Sequence, residues 1–440
     1  MSYVVNSEKE ILKMLETCGV DNITTLFKHL PNGTKYEGLL DLEEGKSEQE
    51  VYNFMKQLSK ENKVYPTIFR GAGAYKHYLP SVVNNLSSLS NFVTAYTPYQ
   101  PEISQGLLQG IFEYQSMICD ITGMDVSNAS VYDGGSAASE AMNMCLDKKK
   151  RKVLVAETIK PSTLQVMKTY AFAYNAELVV VKGKDGLVDI DDLKSKLDDN
   201  TACFYVEQPN YFGLLEDCKT LGNIVHEASS KYIIANNPIS LGLISTPNEC
   251  GADIGVGDGQ SLGLPLGFGG PYYGYMASKK DLVRKLPGRI VGETTDSKGQ
   301  RGYVLTLQAR EQHIRREKAT SSICSNQTLC ALRSSMYMAY VGPRGFYDIS
   351  KRCFDLAHYA YEQIIKIKGF SNKYNSEFFN EFVINTPIKA KEINDILDKH
   401  DILGGLEIND NEMLFCVTEA NSKEEIDRLV SILKEATLWN

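Results

Sequence analysis

A chain of 440 residues, 43% hydrophobic and 23% charged, is long enough for a large core and for two or three domains. Its formal net charge of -8 argues against a nucleic-acid binder, whose electrostatic footprint is a basic face. No apolar stretch approaches the ~18 residues of a membrane helix, and MSYVVNSEKE lacks the basic-then-apolar order of a secretory signal.

Residues 1–65 read as a helical, partly irregular arm. SEKEILKMLETCG has apolar residues at helical spacing, with Ser7 placed to cap, Glu10 three residues later and Gly19 as a stop. SEQEVYNFMKQLSKEN repeats the plan from Ser47. From about Ser130 short apolar runs alternate with helical patterns. ASVYD, VLVAE, ELVVV, ACFYVEQPN, YIIANNP and ADIGVGDG read as strands. GGSAASEAMNMCLD, PSTLQVMKTYAFAY, VDIDDLKSKLDD and CKTLGNIVHEASSK read as helices. Strands of four or five apolar residues between amphipathic helices predict a mostly parallel sheet covered on both faces, an α/β class spanning residues 66–325. Residues 326–440 read as a smaller α+β domain. A helix over NQTLCALRSSMYMAY and another after VGPRGF precede strands EFVINTP and MLFCVTEA, and Ser422 with Glu425 forms a capping-box pattern.

Cysteines and histidines are scattered. The ten cysteines form no CxxC pair, and several lie in apolar segments, which fits a reducing cytoplasm rather than a disulfide framework. The six histidines make no metal-spaced pair, so no metal site is expected.

Four stretches stand out. YDGGSAASEAM puts Gly134, Gly135 and Ser136 between a strand and a helix, where free N–H groups favour an anion; a plain tight turn is the alternative. TAYTPYQPEISQGLLQ gathers Tyr96, Thr97, Tyr99 and Glu102 among prolines that forbid regular helix, with polar tips suited to an interface or a substrate wall. REQHIRREKATSSICSNQ holds Arg315 and Arg316 among residues able either to ion-pair along one helix or to contact an acidic ligand or partner. VGDGQSLGLPLGFGGPYYGYMAS is glycine-dense, a texture that lets backbone approach closely, yet Asp258 is its only charged group.

FRGAGAYKHYLPSVV, TAYTPYQPEISQGLLQ, LPGRIVGETTD and REQHIRREKATSSICSNQ closely resemble the P-protein of the glycine cleavage system. Length and ending resemble the first chain of its split, two-chain bacterial form. The resemblance implies a fold-type I pyridoxal-phosphate transferase architecture, with a seven-stranded type of sheet in the large domain. It also implies an activity, decarboxylation of glycine with transfer of the aminomethyl group to the lipoyl arm of H-protein.

Pyridoxal phosphate needs a lysine for its Schiff base and an acid beside the pyridine nitrogen. Matching on Gly269, Gly270 and Pro271 puts Gln260 where that lysine would stand, and Asn236 or Asn237 where the acid would be. The resemblance therefore implies a chain without cofactor, whose partner, subunit 2 of the P-protein, holds pyridoxal phosphate. Tyr96, Thr97, Tyr99, Glu102, Arg315 and Arg316 are then candidates for a shared active site or interface, and the Gly134–Gly135–Ser136 turn a relic of a phosphate cradle. Implied partners are subunit 2, lipoylated H-protein and the remaining glycine cleavage components, with glycine as substrate of the complex, and with neither nucleic acid nor membrane. Two alternatives are a self-sufficient pyridoxal enzyme using another lysine, such as Lys279 or Lys280, and a purely structural subunit.

Overall fold

The computed structural model describes residues 5–436 except Asn32, Lys35, Glu37, Leu39, Ser322 and Cys324. Parts of the outer domains expected from sequence (1–4 and 437–440), and two positions of the SSICS segment, thus lie outside the described residues.

The chain divides into a unit ending at Val64 and a second beginning at Tyr65. In the first, α1 (Glu8–Thr17) and α2 (Glu48–Ser59) each open on a complete capping box, Ser7 with Glu10 and Ser47 with Glu50. Among its described residues only Leu15 is buried. No helix among the described residues is long and apolar enough to cross a membrane.

The second unit is built on a seven-stranded sheet. Its strands are β1 (Val126–Ser127), β2 (Lys152–Ala156), β3 (Glu177–Val181), β4 (Thr201–Gln208), β5 (Lys231–Asn236), β6 (Ile254–Asp258) and β7 (Gly274–Ser278). They lie in the order β1-β7-β6-β5-β4-β2-β3, with β7 alone running against the others. Every residue of β2 and β4 is buried, as expected of parallel strands covered on both faces. The covering helices include α3 (Pro101–Thr122), α4 (Gly134–Cys145), α5 (Pro161–Ala173) and α6 (Cys218–Glu227). Helix α4 places Ala137, Ala138, Ala141 and Met142 in the main core, where its small residues let it lie close to the sheet. Each fully buried Val, Leu, Ile or Met side chain of that core contributes roughly 1.5–3 kcal/mol.

A hairpin of β8 (Ile290–Thr295) and β9 (Arg301–Thr306) follows, then α7 (Thr328–Ile364). The sequence reads as two helices around VGPRGF. The structure runs them together across a kink at Gly342, which takes φ 61 just before Pro343. Proline cannot donate to the preceding turn, so the helix axis breaks there. The helix serves two cores in turn: Ala331, Tyr337, Met338 and, beyond the kink, Phe346 and Cys353 enter the main one, while Ala357, Ala360 and Ile364 at its far end enter a second. That second core packs beneath an antiparallel sheet whose paired strands include β10 (Glu381–Asn385) and β11 (Glu412–Cys416). In the helix after it, Lys423–Ala436, Ser422 and Glu425 bond reciprocally.

Two local expectations are corrected. ASVYD is not a strand of the sheet: only Val131 bridges, to Gly274, and β1 lies earlier. The backbone is drawn off towards the LPGR segment, with Ala129 N donating to Arg289 O at 2.8 Å and Asn128 Nδ2 to Pro287 O at 2.9 Å. REQHIRREK is not one helix either. A four-residue helix, Gln312–Arg315, ends where Arg316 adopts φ 52, so its charges cannot align along one helical face.

Candidate functional site

In an open parallel sheet the carboxyl ends of the strands gather residues from separate loops, and ligand sites form there. Here they bring together Lys160 beyond β2, Glu207 in β4, Asn236 and Asn237 at the end of β5, and Asp258 and Gln260 at the end of β6. The strap Ala72–Tyr75 and Glu381 of β10 close the other side. Gly134, at the start of α4, lies in the same lining, so the structure groups five of the positions singled out in sequence: Gly134, Asn236, Asn237, Asp258 and Gln260. Tyr96, Thr97, Tyr99, Glu102, Arg315 and Arg316 are not among the residues of this pocket.

The glycine density around Gln260 has a packing cause. A Cβ at Gly257 would lie 2.3 Å from Asn236 O, and one at Gly259 would lie 2.0 Å from the Tyr273 ring. Neither approach is open to any other residue. Gln260 itself is 1% exposed. Its Oε1 accepts from Tyr75 N at 2.8 Å, and its Nε2 donates to Tyr75 O at 2.9 Å and Leu264 O at 3.0 Å. The amide thus brackets one backbone residue of the strap, with both Nε2 protons donated, and an amide nitrogen is in any case no nucleophile. Ser261 beside it donates its hydroxyl to Asn237 Oδ1 at 3.1 Å.

Glu381 completes the strap's attachment, accepting from Ala72 N at 2.6 Å and the Tyr75 hydroxyl at 2.8 Å. Burial pushes its carboxyl above the usual range, partly offset by those donors. A neighbouring buried cluster does similar work. Glu419 Oε2 lies 2.7 Å from His77 Nδ1 and accepts from Cys353 Sγ at 3.2 Å, while Oε1 accepts from Tyr78 N at 2.8 Å.

These residues do not fit pyridoxal phosphate. The group needs an amine at its aldehyde, and positions 260 and 261 carry an amide and a hydroxyl. It needs a carboxylate at its ring nitrogen, and positions 236 and 237 carry amides. The cavity is about 40 Å³, room for a few waters at roughly 10–15 Å³ each. Lys160 is the one lysine of the lining. Lys279 and Lys280 follow β7 at Ser278, which pairs with Ile254, the end of β6 remote from Asp258. They stand at the opposite end of the strands from the pocket.

The aromatic loop forms a separate group. The hydroxyl of Tyr99 accepts from Arg289 Nη2 at 2.9 Å, the guanidinium sits 5.1 Å from the Tyr99 ring centre, and His313 meets that ring edge-on at 6.2 Å. Arg289 is buried, so the charge is desolvated against an aromatic face, where a cation–π contact is strongest. Tyr96 is 84% exposed, Thr97 half-buried, and Glu102 exposed in the first turn of α3. Arg315 and Arg316 are exposed. The sequence signal for Arg289 was the LPGRIVGETTD motif; its contact with Tyr99, 190 residues away, required the fold.

Comparison with known proteins agrees with this architecture. The family model described as glycine cleavage system P-protein matches residues 1–433. A protein of Desulfitobacterium hafniense named "Probable glycine dehydrogenase (decarboxylating) subunit 1" is 45% identical over 444 residues, covering 99% of this chain and 100% of its own. A Bacillus cereus protein of the same name is 46% identical over 439 residues, covering 98% of each. A crystal structure of glycine decarboxylase (P-protein) of the glycine cleavage system, in inhibitor-bound form, superposes with a TM-score of 0.92 at 37% identity, covering 99% of this chain and 100% of that one. A sphingosine-1-phosphate lyase from Burkholderia pseudomallei shares the fold alone, with a TM-score of 0.67 at 13% identity, covering 93% of this chain and 94% of that one.

Proposed function

The chain belongs to the glycine cleavage system P-protein family, and from that premise we propose that it is the half of a two-chain enzyme that carries no pyridoxal phosphate. It is a subunit of a glycine dehydrogenase (decarboxylating) of the subunit 1 type, acting in the glycine cleavage system with a second subunit. The partner holds the cofactor, which supplies the electron sink for losing CO2 from glycine. The aminomethyl group then passes to the lipoyl arm of H-protein. The complex works in the cytoplasm, in keeping with nine unpaired cysteines among the described residues.

One observation carries this reading: where the cofactor chemistry needs a free amine, Gln260 is spent on bonding Tyr75 and Leu264. The test is coexpression with the partner subunit, borohydride reduction and peptide mapping. The expected outcome is one reduced cofactor per partner chain, none on this chain, and glycine-dependent CO2 release only when both chains are present. A reduced cofactor mapped to Lys160, or to any lysine of this chain, overturns the proposal.

The loop around Tyr99 is the part of this chain that reaches the shared site. Arg289→Ala removes a charged hydrogen bond worth roughly 1.5–3 kcal/mol from the residue that holds Tyr99. It is expected to lower CO2 release by the assembled complex about tenfold or more, a barrier increase of ~1.4 kcal/mol. An intact complex turning over at the unaltered rate would favour the purely structural role instead.

A further inference from the structure

Two carboxylates hold the start of α4. Asp133 caps it, its Oδ1 accepting from Ser136 N at 2.7 Å. Asp258, arriving from the end of β6, accepts with Oδ2 from Gly134 N at 3.1 Å and with Oδ1 from Gln260 N at 2.9 Å. A Cβ built on Gly134 would lie 2.9 Å from the Cβ of Asp258, so strand end and helix start touch with nothing between them. The first N–H groups of a helix, with the positive end of its dipole, make an anion site. In this chain the anion comes from the chain itself.

We infer that Asp258 stands in for a phosphate: it occupies the anion cradle of α4 and shuts phosphorylated ligands out of the pocket, independently of the residue at position 260. The inference rests on the cofactor-free reading above and adds a second lock to it. Restoring a lysine would supply the nucleophile but leave the phosphate nowhere to bind.

Three observations support the lock. The carboxylate is bonded on both oxygens, so it does not hang free in the cavity. Its backbone cannot retreat, because Gly257 and Gly259 on either side are pressed against Asn236 and Tyr273. Its surroundings are acidic: Glu207 and Glu381 share the pocket with it, against the single cation Lys160. An incoming phosphate would displace a bonded carboxylate and then face two more. Burial pushes the Asp258 carboxyl above the usual range, with the Gln260 N–H, Lys160 and the Gly134 N–H pulling it back.

The test uses the coexpressed two-chain complex with the partner's cofactor fixed by borohydride. Binding of radiolabelled inorganic phosphate is measured by equilibrium dialysis for the natural chain, Asp258→Ala and Asp258→Asn. The natural chain is expected to take up no phosphate at this site. Asp258→Ala is expected to bind about one phosphate per chain, at least tenfold more tightly than the natural chain. Asp258→Asn should gain less, since its amide oxygen still accepts from Gly134 N while the charge is gone. Glucose, neutral and likewise labelled, should show no gain in either variant. An assembled Asp258→Ala complex that binds phosphate no better than the natural one overturns the inference, as does an equal gain for glucose. Should Asp258→Ala fail to assemble, Asp258→Asn decides in the same way. A cofactor fixed on this chain in the borohydride step would instead overturn the cofactor-free reading, so the two failures are distinguishable.

Discussion

Replacing Gln260 by alanine is expected to lower the unfolding free energy of the chain by about 3–4 kcal/mol. The side chain is buried at 1% exposure and makes three hydrogen bonds to backbone groups. Removing it leaves the N–H and C=O of Tyr75 and the C=O of Leu264 without these partners, at roughly 1–3 kcal/mol for each group that finds no water. Gln260→Lys should cost at least as much. An ammonium donates but has no lone pair to accept from Tyr75 N, so restoring the nucleophile breaks the strap. Urea unfolding of the purified chains measures both, and Gln260→Lys exposed to pyridoxal phosphate should show no aldimine absorbance. A loss below about 1 kcal/mol would mean that the bracket is not structural.

Glu140 carries the second large effect. It lies in α4 at 3% exposure, with Ser321 Oγ donating to Oε1 at 3.0 Å. Burial pushes its carboxyl from 4.5 up to about 7. Because the folded value exceeds the unfolded one, the native state binds the extra proton between those limits, and stability falls as pH rises through them. At ~1.4 kcal/mol per pH unit, the loss attributable to Glu140 amounts to about 3 kcal/mol by pH 8. Glu140→Gln should therefore match the natural chain near pH 4.5 and exceed it by about that amount at pH 8. Unfolding curves at the two pH values give the comparison, and an equal difference at both would remove Glu140 as the cause.

Asp258 and Gln260 illustrate how far a sequence could be followed. Asp258 was conspicuous as the only charge in a glycine-rich run, yet nothing local tells which helix its carboxylate reaches, because Gly134 lies 124 residues away. Gln260 was legible as an amide where the resemblance implies an amine. Its positive role was not, since Tyr75 is 185 residues distant. Tyr99 was picked for its polar tip, while the arginine that holds it came from a different motif. The ASVYD segment misled because its alternation fits a strand, and only the LPGR backbone competing for its hydrogen bonds sends it elsewhere.

By itself the sequence determined what depends on near neighbours and on residue chemistry. The α/β alternation follows from hydrophobic period, the three capping boxes from side chains three residues apart, and the absence of a nucleophile at position 260 from the nature of an amide. Only the tertiary structure decided which groups face one another across the pocket. Strand order sets which loop ends meet, and the contacts that tie Asp258, Gln260 and Glu381 across the pocket include ones between residues 124, 185 and 309 positions apart. Such contacts are fixed by the closure of the whole core, and they leave no periodic trace along the chain.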